Sequence, residues 1–412
     1  MSAPPRLPPA RTGTFAALRV RDFGVLWFGS WTSYVGFFMS TIVNSVVAFE
    51  LTGTNRAVGT VVFAQGLSMV VLAPIGGACA DRWPKRLVLA LTQTASALVF
   101  GTIGILLATG TLRIAELAAG SFVMGACLAF LGPARQALAA DLVPAPIRGN
   151  AVALNQVALT GSQVLGPAIA GVLLFSWTGA TGAYAAMAVL YALAAVSLVF
   201  LPESRVRADA GQTHVFADLA AGLRYVWGHP RLRLLVLFFV TVIMTGFPYV
   251  TVLPGLVQNE FGRASDAISL LYFVSAIGGL GASLFAARLA DSRFALPVFV
   301  SMSLIFGLSV LGLSLVPSYA AAAGAIFFVG LGVGGFQSLN GAVIVRTAEP
   351  AYFGRVISLT MIAFAGFGLM GLPVGLLADA IGERGALVAM SVSVCAIAAL
   401  VGALLYRARD TS

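Results

Sequence analysis

Twelve apolar stretches divide this chain, at about 25–48, 57–79, 87–109, 116–138, 150–176, 182–201, 233–257, 267–289, 295–315, 320–342, 357–379 and 386–406. Each is bounded by Gly, Pro or charge. A hydrocarbon core about 30 Å thick is crossed by a helix of about 20 apolar residues, so every stretch is long enough to span it with some tilt. Of the 412 residues, 59% are hydrophobic and 9% are charged, with a mean hydropathy of +0.97. Soluble domains carry about 25% charged residues, and here there are too few charges to coat a soluble body of this size. The expectation is an all-α polytopic membrane protein with 12 transmembrane helices.

The basic residues give that chain an orientation. With the N-terminus in the cytoplasm and the spans alternating, twenty of the 24 Lys and Arg fall on the cytoplasmic side, Arg135 and Arg148 among them. The outer loops hold Arg56, Arg113, Arg263 and Arg384. This is the positive-inside pattern, and one missed helix would invert every later loop. It implies a multi-pass protein of the cytoplasmic (inner) cell membrane with both termini cytoplasmic. The Pro-rich, basic N-terminus has no short apolar segment ending in a cleavage site, so no removed leader is expected. The net charge of +9 is thereby a topology signal, and no nucleic-acid partner is expected.

One long polar segment, 202–232, divides six spans from six. Its Phe216, Leu219, Leu223 and Val226 fall at helical spacing, which predicts a short surface helix within a tether. The divisions are a cytoplasmic tail (1–21), a first bundle (22–201), the central loop (202–232), a second bundle (233–406) and a cytoplasmic tail (407–412). The halves echo each other: VPAPIRG at 143–149 with EPAYFGR at 349–355, GACADR at 77–82 with ARLADSR at 287–293, and GPAIAG at 166–171 with GLPVG at 371–375. Pairs at nearly one offset argue for a duplicated six-helix unit, hence two pseudo-symmetric six-helix bundles. Duplicated bundles place a substrate site between the halves near the midplane.

Other chemistries are poorly supported. Cys79, Cys127 and Cys395 lie in apolar stretches without metal-ligand spacing, and His214 and His229 share one polar segment. No GxxxxGK[ST] occurs, so ATP hydrolysis is not expected. No catalytic residues, metal or cofactor are assigned, and an enzyme is not expected. A monomer in the lipid bilayer, a small-molecule substrate and protons are the expected partners.

Gly77, Asp81, Arg82, Lys85 and Arg86, in GACADRWPKR between spans two and three, resemble the signature of the major facilitator superfamily. With Arg21-Asp22-Phe23 before span one and EPAYFGR before span eleven, the likeness runs from Arg19 to Arg407. It is closer to the branch containing the enterobactin exporter and related drug exporters. The resemblance implies a cytoplasmic gate role for this cluster; a purely topological role stays open. Gly161, Gly166, Pro167 and Gly171 in span five resemble the Gly-Pro motif that the family associates with exporters. Pro167 removes a helix hydrogen bond and Gly166 removes bulk, so bending and simple packing are both open readings.

The family fold implies that spans one, four, seven and ten line the cavity. Candidates are Trp31, Tyr34 and Asn44 in span one, Gln65 in span two, Tyr249 in span seven, and Gln337 and Asn340 in span ten. An aromatic pocket with a few amides suits a bulky amphipathic molecule. The Asp and Glu all fall in loops or near span ends, which makes Glu50, Asp141 and Asp379 the coupling candidates. The Arg that drug/proton antiporters often carry in span four is expected to be absent, with Ser121 near its place. Without a deep acid, a neutral or anionic substrate is favoured over a cation. The function expected is a secondary active transporter, a proton-driven exporter of a drug, secondary metabolite or siderophore by alternating access. An uncoupled facilitator or importer of the same fold is the alternative.

Overall fold

In the computed structural model the residues described are 15–202, 215–264, 266–289, 292–349 and 352–410. Among them the chain is helical and contains no strand. A backbone in lipid must satisfy its own N–H and C=O groups, and a helix does so within each span. The first six spans are α1 (Arg21–Thr52), α2 (Asn55–Arg82), α3 (Lys85–Ala108), α4 (Ile114–Leu142), α5 (Arg148–Phe175) and α6 (Gly179–Ser197). The central segment supplies α7 (Val215–Gly228).

Span seven is broken. It consists of α8 (Pro230–Gly246), α9 (Tyr249–Gly255) and a π-helical turn over Leu256–Glu260. Pro248 stands at the break and Pro254 lies inside α9, where each withholds a backbone donor. Then come α10 (Asp266–Leu289), α11 (Ala295–Leu315), α12 (Tyr319–Thr347) and α13 (Phe353–Asp410).

Among the described residues eleven helices are long and apolar enough to cross a membrane, and the last holds two spans. At Gly382 the backbone turns to φ 80°, ψ 159°, a conformation only glycine adopts without strain. That break reverses α13 and restores the expected twelve crossings.

Contacts fix which helix ends lie together. At one end, called here the tail end, the start of α3 meets the ends of α4 and α6. At the other, the far end, the start of α2 meets the π turn of span seven and the Gly382 break. Within the first half α2 packs on α4, α3 on α6, and α1 on α5 and α6. Within the second, α10 packs on α12, and α11 on α12 and α13. The halves meet mainly where α2 packs on α13 and α5 on α10, with α9 of span seven also touching α1 and α2.

The first pair comes within backbone contact. A Cβ on Gly66 would stand 2.5 Å from the Gly368 Cα, and one on Gly59 would stand 2.4 Å from the Gly371 carbonyl oxygen. Small residues allow this approach where lipid supplies no hydrophobic drive between helices.

The described part of the segment read as a tether is docked. The predicted helix forms as α7, and its Val226 is buried with Leu232, Val236 and Ile344 of the second half. Tyr225 stacks on Tyr352 at 4.0 Å, and its hydroxyl accepts from the Glu349 backbone N–H at 3.0 Å. Leu223 remains exposed, as expected for a surface helix.

Candidate functional site

The far end holds a latch between the halves. Asp379, on the first part of α13, accepts from the backbone N–H of Asn55 at 2.8 Å and of Arg56 at 3.0 Å. These are the first N–H groups of α2, so a carboxylate of one half sits on a helix N-terminus of the other. Orphan donors and the positive end of the helix dipole both favour it. Beside it, the buried Glu383 accepts from the Asn55 side-chain amide at 3.0 Å and from Asn259 at 2.7 Å. Arg384 binds Glu260 at 2.6 Å and the carbonyls of Ser314 and Val316, which ties together the far ends of the second half. Glu383 was not singled out from sequence; it reads there as one more loop acid.

The span-five motif lies along the same junction. A Cβ on Gly171 would stand 2.9 Å from the Ser269 Cβ of α10, in the other half. One on Gly166 would stand 2.6 Å from the Phe38 Cβ of α1. Pro167 is buried within α5. Gly161 has open space where a side chain would go.

At the tail end the described bonds of the signature loop, those of Lys85 and Arg86, stay inside the first half. Lys85 pairs with Asp141, and the Arg86 guanidinium donates to the carbonyls of Leu201 at 2.6 Å and Val199 at 3.0 Å. Gly77, Asp81 and Arg82 end α2, and their side chains lie outside the described ones, as does Asp291 of the second-half echo. In the second half Arg346 donates to the Ser292 carbonyl. A cavity of about 540 Å³ opens beside it, lined by His229, Arg231, Arg293 and Arg346. It belongs to the second half alone and does not coincide with the expected site between the halves.

The expected cavity residues fall into separate places. Trp31 is partly buried and stacks on Trp27, rings 6.2 Å apart at 14°. Tyr34 lies three residues on and carries the guanidinium of Arg135 over its ring at 4.4 Å. Asn44 is buried, and its side-chain oxygen accepts from the Tyr184 hydroxyl at 2.7 Å, a bond between α1 and α6. Gln65 sits where α2 meets α4: a Cβ on Gly125 would stand 2.1 Å from its carbonyl oxygen. Tyr249 is buried against Phe306, rings 6.1 Å apart. Gln337 is half-buried and Asn340 buried on α12. Their neighbour Phe336 is packed between Phe299, Phe238 and Phe239, so it belongs to the core of the second half. Glu50 is exposed near the end of α1.

Arg135 is a correction. Sequence reading counts it among the cytoplasmic positions that set topology; the antiporter arginine expected to be absent belongs to a different position, near Ser121. It lies inside α4, is 3% exposed, and among the described residues its Nη1 and Nη2 have no hydrogen-bond partner. Arg135 falls three residues before the end of the 116–138 stretch, and because α4 runs on to Leu142 it stands about two turns inside the helix rather than at its end. Ser121, about four turns away on the same helix, is buried, and its hydroxyl has no partner among the described residues.

Among the described residues no cluster of His, Cys, Asp or Glu could hold a metal. The arrangement is thus two helix bundles, joined closely at one end and carrying buried polar groups between spans.

Comparison with known proteins gives this architecture a family. The Staphyloferrin A transporter of Staphylococcus aureus is 26% identical over 296 residues, 70% of each chain. The chloramphenicol resistance protein of Streptomyces lividans is 30% identical over 254 residues, covering 60% of this chain and 61% of that one. Among solved structures, a bacterial homologue of the human lysosomal transporter Spinster, inward-facing and unoccupied, superposes with a TM-score of 0.75. That match covers 93% of this chain and 96% of the other at 14% identity. The profile of the Major Facilitator Superfamily matches residues 26–368. The chain belongs to the Major Facilitator Superfamily and is a membrane transporter of small molecules, not an enzyme.

Proposed function

We propose that this transporter is a proton-driven exporter of neutral or anionic amphipathic small molecules: drugs, secondary metabolites or siderophores. It sits in the cytoplasmic membrane with its tail end, and both termini, facing the cytoplasm. The observation that carries the reading is the Asp379–Glu383 latch, where carboxylates of one half bind amides of the other. An ionised carboxylate is an acceptor only. Once protonated it loses its charge and gains a hydroxyl that its N–H partners cannot use. Proton arrival from outside therefore loosens the far end and lets the halves rock.

The cycle follows. Substrate enters from the tail end while the latch is shut. Protons reach Asp379 and Glu383, the far end parts, and substrate leaves outward. The protons are released inward when the halves rock back. Asp141 remains a candidate for the inward path through its pairing with Lys85, and Glu50, near the far end of α1, a candidate for the outward one. The names of the two relatives, a siderophore transporter and a drug-resistance protein, support the substrate class and, for the second, the direction. The aromatic run Trp27, Trp31 and Tyr34 suits an amphipathic ligand. The confinement of acids to helix ends favours the competing reading, an uncoupled facilitator.

Accumulation of labelled chloramphenicol in cells tests both. Cells expressing the transporter are expected to hold less than empty-vector cells, with an uncoupler removing the difference and Asp379→Asn reducing it. Faster equilibration to the same level, unaffected by the uncoupler, establishes the facilitator instead.

A further inference from the structure

A guanidinium is charged at every physiological pH and carries five N–H donors in the plane of its fork. Arg135 is 3% exposed, with both terminal nitrogens of this group buried, inside a membrane-spanning helix. Tyr34 of α1 covers one face of the fork, centroid to Cζ 4.4 Å. That stacking satisfies the face and leaves the in-plane donors unmet. Among the described residues Nη1 and Nη2 have no acceptor, and no ion pair reaches them.

A buried charge is retained when something pairs with it during function. Here the unmet edge is the one that accepts a carboxylate with two parallel hydrogen bonds. The surroundings are aromatic: Tyr34 stacks on the fork, Tyr191 of α6 lies within range of its charge, and Trp31 is one turn from Tyr34. Arg135 stands seven residues before the tail-end terminus of α4, about 10 Å inside. It joins spans one and four, the pair expected to line the cavity.

We propose that Arg135 and Tyr34 form the recognition site for a carboxylate-bearing amphipathic substrate. Arg135 binds the carboxylate edge-on, Tyr34 holds the fork in place, and the neighbouring aromatics take the apolar body. This deepens the transport reading given above, on which it rests, by narrowing neutral or anionic substrates to organic anions. It is independent of transport direction and of proton coupling.

The test uses two probes of the same shape, 1-naphthylacetate and 1-naphthylacetamide, which differ in the carboxylate alone. Their binding to the full-length transporter in lipid nanodiscs is measured by equilibrium dialysis. Wild type is expected to bind the acid at least about tenfold more tightly than the amide, as a charge-assisted bidentate pair implies. Arg135→Gln is expected to bind the two alike, with amide affinity retained. Arg135→Lys keeps the charge but not the fork, and is expected to retain part of the preference. A wild type without preference overturns the proposal, and so does an Arg135→Gln protein of unchanged melting temperature that keeps the preference. If Arg135→Gln does not fold, Arg135→Lys decides: a full preference there refutes recognition by the fork. Absence of export in wild-type cells with the acid preference intact would instead refute the export direction and leave the recognition site standing.

Discussion

At the far end, side chains of the second half hold backbone and amide groups of the first. At the tail end, the charged side chains with described partners bond inside their own half. Asp379 and Glu383 reach α2 across the junction, whereas Lys85, Arg86 and Arg148 all find partners within the first six helices. Arg346 likewise bonds within the second half. The close glycine contacts follow the same division, since Gly59, Gly66, Gly368 and Gly371 lie on the far-end portions of α2 and α13. One end is therefore closed by bonds that must break for the halves to part. At the other, those bonds stiffen each half and need not break when it moves.

The contrast predicts where substitutions matter most. Gly66→Val has the largest expected effect. Its Cβ would meet backbone at 2.5 Å, which no rotamer change relieves. Overpacking of this kind costs about 1–3 kcal/mol or more, and here it falls on one conformation only, the one closed at the far end. A cysteine placed at Val62, which packs on Gly371, reports the closure. Its reaction with an impermeant maleimide from the far side is expected to speed up at least about tenfold in Gly66→Val. An unchanged rate would mean that the junction is not closed by this contact.

Asp379→Asn comes next. It removes a negative charge and one of two acceptors from the α2 N-terminus, at an exposed position where such a cap contributes about 1 kcal/mol. The expected result is a rise of about fivefold in the same labelling rate. If the labelling rate instead stays at the wild-type value, the far end is held by Glu383 and the glycine contacts without Asp379.

How far this arrangement is legible in the sequence differs between its parts. The spans are legible because a membrane-crossing helix imposes a length and a polarity that few other elements share. Even the reversal at Gly382 lies between predicted cores ending near 379 and starting near 386. The latch is not legible, because Glu383 meets Asn55 across 328 residues of chain and no local pattern encodes that pairing. Asp379 stood out only as an acid near a span end, without its partner. Arg135 was misread for a different reason. A basic residue near the end of an apolar core signals topology, and the signal that α4 continues beyond it is slight: Leu138 and Ala139 carry the buried face one turn further. Docking of α7 was half legible, since the spacing of Leu223 and Val226 gave the helix but not the surface that buries Val226.

The tail end supplies a smaller effect and a check on the contrast. Lys85→Ala removes an ion pair whose members are partly exposed, 14% and 37%, so its contribution is discounted to at most about 1 kcal/mol. Because the pair lies within one half, the loss is expected in both conformations alike. The melting temperature falls slightly while labelling at position 62 stays as in wild type. A change in labelling without a change in melting temperature would show that the tail end, too, is coupled across the junction.

Gly161→Ala has the smallest expected effect, and it separates motif from geometry. Gly161 belongs to the same Gly-Pro run as Gly166 and Gly171, so a sequence rule would treat the three alike. Their surroundings differ: added atoms at Gly166 and Gly171 would press on Phe38 and Ser269, at 2.6 and 2.9 Å, whereas at Gly161 they meet nothing within 4 Å. Alanine in a helix interior is about 1 kcal/mol more favourable than glycine, so Gly161→Ala is expected to transport normally and to melt at or slightly above the wild-type temperature. Gly171→Val, pressing on α10 across the junction, is expected to slow transport. Loss of transport in Gly161→Ala would mean that span five bends there during the cycle, into a conformation in which the open space beside Gly161 is filled.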